Sequence, residues 1–325
     1  MKTLNMRDAI NEALVEEMEK DKTTVYFGED VAKMGGINAT TKGLLEQFGA
    51  ERVFDTPIAE ATIAGAAAGM AASGLRPITE YQFADFIAIA FDEIFNKFGK
   101  WRYMHGGKID MPITMRLPIG AVGGAGPEHS QSPQSLLMHS QGIYVAIPSN
   151  PNDAKGLLKT AIRNQNPVLV FEHKLLYDIE GEVEEGDYTI PLGEANIVKE
   201  GTDITVLATS YEVQKVKKVA DELEKEGISI ELIDPRTIIP LDKDAILESI
   251  KKTGRFIIVH EEPKTGGTGA EIAAFVAEEA LFNLRAPVKR IAGPDVPIAQ
   301  NIELEKYYRP SEEQIIKVAK ELMEY

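Results

Sequence analysis

Residues 53 to 74, VFDTPIAEATIAGAAAGMAASG, constrain this chain more than any other stretch. A run built almost wholly of small apolar residues carries one carboxylate, Glu60, near its start. Asp55 or Thr56 can cap a helix, Pro57 suits its first turn, and Gly74 followed by Pro77 ends it. Glu60 then falls near the positive end of the helix dipole, where a negative charge is tolerated. Gly65, Ala66, Ala67, Ala68, Gly69, Ala71 and Ala72 leave no bulky face, so another backbone can approach closely. The composition predicts a helix buried all round. Burial makes Glu60 costly unless something hydrogen-bonds it. Either it completes a cap, or it stands beside a cleft and shares a proton with a ligand nitrogen, as general acid-base work requires.

A chain of 325 residues suits two domains of ordinary size. With 44% apolar and 26% charged residues it has the composition of a folded globular protein. A formal net charge of −16 weighs against nucleic acid or an anionic membrane as partner, since both repel it and the sequence shows no basic patch. The absence of cysteine excludes a disulfide framework, a thiolate metal site and a thiol nucleophile, and makes the cytoplasm the expected compartment. The opening MKTLNMRDAINEAL reads as a strand-less lead into an amphipathic helix, without signal-peptide features. No apolar run reaches the length of a bilayer span.

Strand-like and helix-like segments alternate along the chain. VYFGEDV from Val25 is a short buried strand leading into Glu29 and Asp30, Leu75 to Phe83 a strand ending at Gln82 and Phe83, and Met111 to Leu117 a strand running into the glycine-rich loop 120–126. Tyr144 to Pro148, a helix from Asn152 and Pro167 to Glu172 continue the rhythm. The polar segment 177–201, with its acidic run 180–187, reads as a solvated linker, and the alternation restarts at Ile204. The fold class expected is α/β, two domains each with a mainly parallel sheet flanked by helices. Their bounds are 1–178 and 202–325, joined by a linker over 179–201. Ligands of such sheets sit at the carboxyl ends of the strands.

Three features gather at those ends in the first domain: Glu60, the aromatics Phe83 and Phe86, and His129 after the glycine loop. A buried carboxylate and an aromatic face suit a heteroaromatic ring, and a histidine at the same mouth could pass protons near neutral pH. Each also has a plainer reading: the aromatics as core, the histidine as a surface residue, the loop as a turn. No phosphate-cradling GxxxxGK[ST] or GxGxxG follows a strand, no metal-ligand spacing links the histidines, and no GxSxG elbow occurs.

Taken together, the stretches FGEDV, RVFDTPIAEATIAG, EYQFADF, RYMHGGK, MPITMR, EHSQSP, PSNPNDAKGLL, AIRNQNPV, IDPRTIIPLD and TGRFIIVHE resemble, in one order and over essentially the whole chain, a known family. It is the beta subunit of the thiamine-diphosphate-dependent first component of 2-oxo acid dehydrogenase complexes, the acetoin dehydrogenase beta subunit included. The resemblance implies a transketolase-like pyrimidine-binding domain followed by a transketolase C-terminal-like domain. It further implies that Glu60 hydrogen-bonds the aminopyrimidine of thiamine diphosphate and promotes loss of the thiazolium proton. Phe86 would pack on the pyrimidine, Gln82 and Glu29 would complete the cofactor-binding set, and His129 would serve proton transfer or reductive acylation of the lipoyl arm.

The superfamily binds the diphosphate and Mg²⁺ through a Gly-Asp-Gly motif that this chain lacks. The resemblance therefore implies a separate alpha subunit holding both, within a two-alpha, two-beta heterotetramer. The second domain would join the two beta chains and dock the lipoyl-bearing acyltransferase core. A structural K⁺ site of carbonyl oxygens maps onto Ile113, Ala161, Ile162, Asn164 and Asn166, with Asn164 where related chains often carry Asp. The expected function is oxidative decarboxylation of pyruvate or a branched-chain 2-oxo acid, or cleavage of acetoin, with acyl transfer to lipoamide. The rivals are a stand-alone transketolase-type enzyme and a non-catalytic assembly subunit.

Overall fold

The runs TVYFG, RPITE, TMRLPI and VLVFEH are apolar on both faces apart from single charges, as strands covered by helices on either side must be. In the computed structural model, which describes residues 1–325, they form the middle of a parallel sheet. The chain divides into two units, residues 1–119 with 136–192 and residues 120–135 with 193–325. The loop that carries His129 thus clusters with the second unit, although the sequence places it inside the first domain.

The first unit runs β1 (Lys2–Asn5), α1 (Met6–Lys20), β2 (Thr24–Gly28), α2 (Leu44–Phe48), β3 (Val53–Asp55), α3 (Glu60–Ala72) and β4 (Arg76–Glu80). A 3₁₀ segment Ala84–Ala90 and a π-helical segment Glu93–Phe98 follow, then α4 (Trp101–Met104), β5 (Thr114–Ile119), β6 (Tyr144–Ala146), α5 (Pro151–Arg163), β7 (Val168–His173) and β8 (Glu180–Val183). Strands β6, β7, β5, β4, β2 and β3 lie side by side in that order, every pairing parallel. Helix α5 starts where Asn150 accepts a hydrogen bond from the Asp153 amide and Pro151 fills the first turn. It packs on α1 through buried cations: Lys155 Nζ lies 2.7 Å from Glu16 and Lys159 Nζ 2.6 Å from the same carboxylate.

Three expectations need correction here. The lead is not strand-less, because Lys2–Asn5 pairs antiparallel with Glu180–Val183, which also turns the start of the acidic run into a strand. The α3 helix begins at Glu60 after Ala59, with no side-chain cap. Asp55 instead accepts hydrogen bonds from the amides of Ala32 and Lys33, at 2.7 and 3.3 Å. Nor is α3 buried all round: Ile63, Ala64, Ala67, Ala68 and Ala71 face the core, whereas Ala61, Thr62, Gly69 and Ala72 are exposed. Its small residues leave a smooth outer face that no element of this chain covers.

The second unit contains β9 (Asn196–Lys199), β10 (Ile204–Ala208), α6 (Tyr211–Lys225), β11 (Ile230–Asp234), β12 (Thr237–Ile239), α7 (Lys243–Thr253) and β13 (Phe256–Pro263). After these come α8 (Thr268–Glu279), β14 (Lys289–Gly293), α9 (Ile302–Tyr308) and α10 (Glu312–Met323). The sheet order is β14-β13-β10-β11-β9, parallel except for β9 at one edge. Two apolar layers enclose it, one from α6 and α10, the other from α7 and α8. No helix is long and apolar enough to cross a membrane.

Candidate active site

The carboxyl ends of β2 and β4 carry the residues expected to bind a ligand. Glu29 follows the last residue of β2, Glu60 opens α3, and Gln82 and Phe83 follow β4. Glu60 is buried, and its backbone carbonyl accepts a hydrogen bond from the Tyr81 hydroxyl at 2.6 Å. That bond fixes the first turn of α3 against the end of β4. Burial, the neighbouring Glu60 and then Asp30 push the Glu29 carboxyl above the usual carboxylate range. Its Oε1 is buried without a hydrogen-bond partner. Two neighbouring carboxylates, one with an open oxygen, are arranged to receive N–H donors.

Phe83 and Phe86 meet edge to face with ring centroids 6.1 Å apart, and Gln82 donates to Asp30 at 2.9 Å. Tyr81 reports a further member. Burial raises its phenol, followed by the charges of Glu60, Glu29 and Glu93. Glu93 was not foreseen, because its place in an irregular 3₁₀-to-π stretch gives no periodic signal; its carboxyl packs on α3, 3.6 Å from where a Cβ at Gly65 would stand.

Beneath this floor lies a second group that the sequence reading missed. Arg116 on β5 is fully buried, its Nε 2.8 Å from Glu172 Oε1 and its Nη1 2.7 Å from the Tyr26 hydroxyl. It also pairs with Glu80, while Tyr177 donates to Glu172 at 2.8 Å and Thr40 accepts from Arg116 at 3.1 Å. Strands β2, β4, β5 and β7 are thereby tied together, at Tyr26 three residues before Glu29 and at Glu80 two residues before Gln82. The signal was present as single charges, Glu80, Arg116 and Glu172, inside otherwise apolar strands.

His129 belongs to the second unit, in a loop rich in left-handed glycines: Gly120, Gly123, Gly124 and Gly126 all have positive φ. A side chain at Gly124 would meet the Gln300 carbonyl at 2.6 Å, so glycine is required there. The structure brings Glu29, Glu60, Gln82 and Phe86 together in one unit and sets His129 in the other.

Of the oxygens that the resemblance maps to potassium, those of Ala161, Ile162 and Asn164 lie at the carboxyl end of α5. Ile162 O and Asn164 O each accept from Arg76 Nη1 at 2.9 Å, Ile113 O accepts from the Val168 amide at 2.9 Å, and Ala161 O from the Asn164 amide at 3.2 Å. The Asn166 amide donates to Asn164 Oδ1 at 2.9 Å.

The family described as "Transketolase, pyrimidine binding domain" matches residues 2–180, and "Transketolase, C-terminal domain" matches residues 193–315. The 2-oxoisovalerate dehydrogenase subunit beta of Bacillus subtilis (strain 168) is 44% identical, with all of both chains covered. The chain belongs to the dehydrogenase beta-subunit family. Its members include the acetoin:2,6-dichlorophenolindophenol oxidoreductase subunit beta of the same strain, 44% identical over 99% of this chain and 98% of that one. Another is the pyruvate dehydrogenase E1 component subunit beta of Staphylococcus epidermidis (strain ATCC 12228 / FDA PCI 1200), 42% identical over the whole of both. Such even identities do not select among the three substrates. Among solved structures, "Split gene transketolase, inactive beta4 tetramer" superposes with a TM-score of 0.82 over 99% of both chains at 23% identity, which shows the shared fold. The beta-subunit family thus has the two-domain architecture expected from the sequence.

Proposed function

We propose that this chain, with an alpha subunit, catalyses thiamine-diphosphate-dependent oxidative decarboxylation of a 2-oxo acid or cleavage of acetoin, passing the acyl group to lipoamide. The observation that carries this reading is the pair Glu29, after β2, and Glu60, which opens α3 against the end of β4, with the Glu29 oxygen left unpartnered. That pair of carboxyl groups fits the aminopyrimidine end of the cofactor. Glu60 would share a proton with a ring nitrogen, Glu29 and Gln82 would complete the polar edge, and Phe86 would supply an apolar face. When bound, thiamine diphosphate supplies the electron sink for breaking the bond beside a carbonyl. His129 holds and transfers a proton where the lipoyl arm accepts the acyl group.

The diphosphate and Mg²⁺ fall to the alpha chain, since no Gly-Asp-Gly occurs here. The exposed small-residue face of α3 and the neighbouring Ile58, 81% exposed, suit close packing of a partner subunit in a two-alpha, two-beta assembly. The second domain would contact the other beta chain and the acyltransferase core, and the cysteine-free composition suits the cytoplasm. Potassium would rest on the carbonyl oxygens of Ile113, Ala161, Ile162, Asn164 and Asn166, sharing two of them with Arg76 and favoured by the negative end of α5.

The test is reconstitution with the alpha chain and a panel of pyruvate, branched-chain 2-oxo acids and acetoin, read with an artificial electron acceptor. Turnover is expected only when both chains are present, and turnover by alpha alone would reject the proposal. Glu60→Gln is expected to abolish turnover while the assembly elutes unchanged on size exclusion. Activity like that of the unsubstituted complex would remove Glu60 from its role.

A further inference from the structure

The loop that carries His129 is held by carboxylates at three backbone amides. Glu261 Oε1 accepts from the Ala121 amide at 2.5 Å, Glu305 Oε2 from Gly124 at 2.6 Å, and Glu262 Oε1 from Ser135 at 2.9 Å. All three glutamates are buried, Glu262 completely. Buried carboxylates are costly unless their oxygens accept strong hydrogen bonds, so their presence here is informative. Two lie on β13 and one on α9, both packed elements of the second unit. An apolar cluster of Ala121, Ile298 and Tyr308 secures the start of the loop. Between the fixed amides of Gly124 and Ser135 lies His129, whose own amide donates to Gly126 O at 3.4 Å.

We propose that Glu261, Glu262 and Glu305 are positioning residues that set the path of the His129 loop, with Glu262 as the principal clamp. The inference rests on the reading of His129 given above. Both oxygens of Glu262 are used, since Oε2 also accepts from the Thr268 amide in the first turn of α8, at 3.2 Å. One carboxylate therefore joins the end of the loop to the start of a helix. A glutamine in its place keeps one acceptor and turns an N–H₂ toward the other amide. Glu305 serves one loop amide through one oxygen, so glutamine can replace it by presenting its carbonyl. A merely space-filling role predicts no such difference between the two sites.

The experiment compares Glu262→Gln and Glu305→Gln in the full chain assembled with its alpha partner. Amide hydrogen exchange is followed on peptides covering residues 120–135 and, as control, on β10 and β11. Glu262→Gln is expected to speed exchange in 120–135 about tenfold, the factor a lost buried hydrogen bond supplies, with the control peptides unchanged. Glu305→Gln is expected to change it less than about twofold. Acylation of a lipoyl-bearing domain is expected to fall several-fold further in Glu262→Gln than turnover with an artificial acceptor. Unchanged exchange over 120–135 overturns the clamp whatever the rates do. If Glu262→Gln fails to assemble, Glu305→Ala, which removes the acceptor from Gly124, carries the same exchange test. His129→Ala separates the two claims: without a selective loss of lipoyl acylation in that variant the reading of His129 falls, while the exchange result still decides the clamp.

Discussion

Around Arg116 the first unit answers buried carboxylates with a cation, whereas beside the His129 loop the second answers Glu261, Glu262 and Glu305 with backbone amides. Around Arg116 the partners are side chains on four parallel strands, Glu80, Glu172, Tyr26 and Tyr177 among them, with burial raising both phenols and the Glu80 carboxyl. Glu261, Glu262 and Glu305 instead face main-chain N–H groups of a loop. The cation ties strands that the sheet already aligns, and fixes the platform from which Glu29, Glu60 and Gln82 project. The amide clamps define a path that no ladder would otherwise specify. Rigid geometry is obtained either way.

The largest effect should come from removing the cation. Arg116→Met leaves Glu80 and Glu172 buried beside one another without compensation, a loss of about 3–5 kcal/mol, read as a lower midpoint in denaturant. A midpoint within about 1 kcal/mol of the parent would mean that the tyrosines carry the network by themselves.

The second unit can be probed through pH. Burial pushes Glu212 up to about 7, and burial, helped by Arg290, pushes His260 down to about 4. For Glu212 the folded form holds a proton that the unfolded chain releases, so its contribution is complete below about 4.5 and is lost as pH rises toward 7. For His260 the unfolded chain binds a proton that the folded form refuses, so stability falls as pH drops from about 6.5 to about 4. The two slopes oppose each other between about pH 4.5 and 6.5. Glu212→Gln should therefore remove one of the opposing slopes, so that across that window its stability rises relative to the parent chain by an amount on the order of 3 kcal/mol. Parallel profiles for the two proteins would show that these groups do not set the pH response.

The smallest effects concern helix starts. Asn150→Ala removes the acceptor for the Asp153 amide in the first unit, and Ser311→Ala breaks the capping box with Gln314 in the second. Each is expected to cost about 1 kcal/mol. A markedly larger loss for Asn150 would show that the α1–α5 contact depends on where α5 begins.

Much of this architecture was legible because alternation of short apolar runs with amphipathic segments survives in a single sequence. Strands β2, β4, β5, β7, β10, β11 and β13 fall where those runs lie. Glu60 was legible as a charge among alanines, and the dehydrogenase resemblance attached a role to it. What escaped detection depends on partners far along the chain. The pairing of Lys2–Asn5 with Glu180–Val183 joins two short polar segments that show no strand pattern alone. Helix α9, IELEKYY, turns Glu305 inward, opposite to what its charge suggests, because the Gly124 amide is there to receive it. The membership of the His129 loop in the second unit is likewise a matter of contact rather than order, since the loop departs from β5 of the first.

The antiparallel ribbon between residues 2–5 and 180–183 also sets a timetable for synthesis. A nascent chain emerges from the ribosome amino end first, so residues 2–5 wait for their mate until 180–183 have been translated. During that interval the edge made by Lys2, Thr3 and Leu4 is open to chaperones or to strands of other polypeptides.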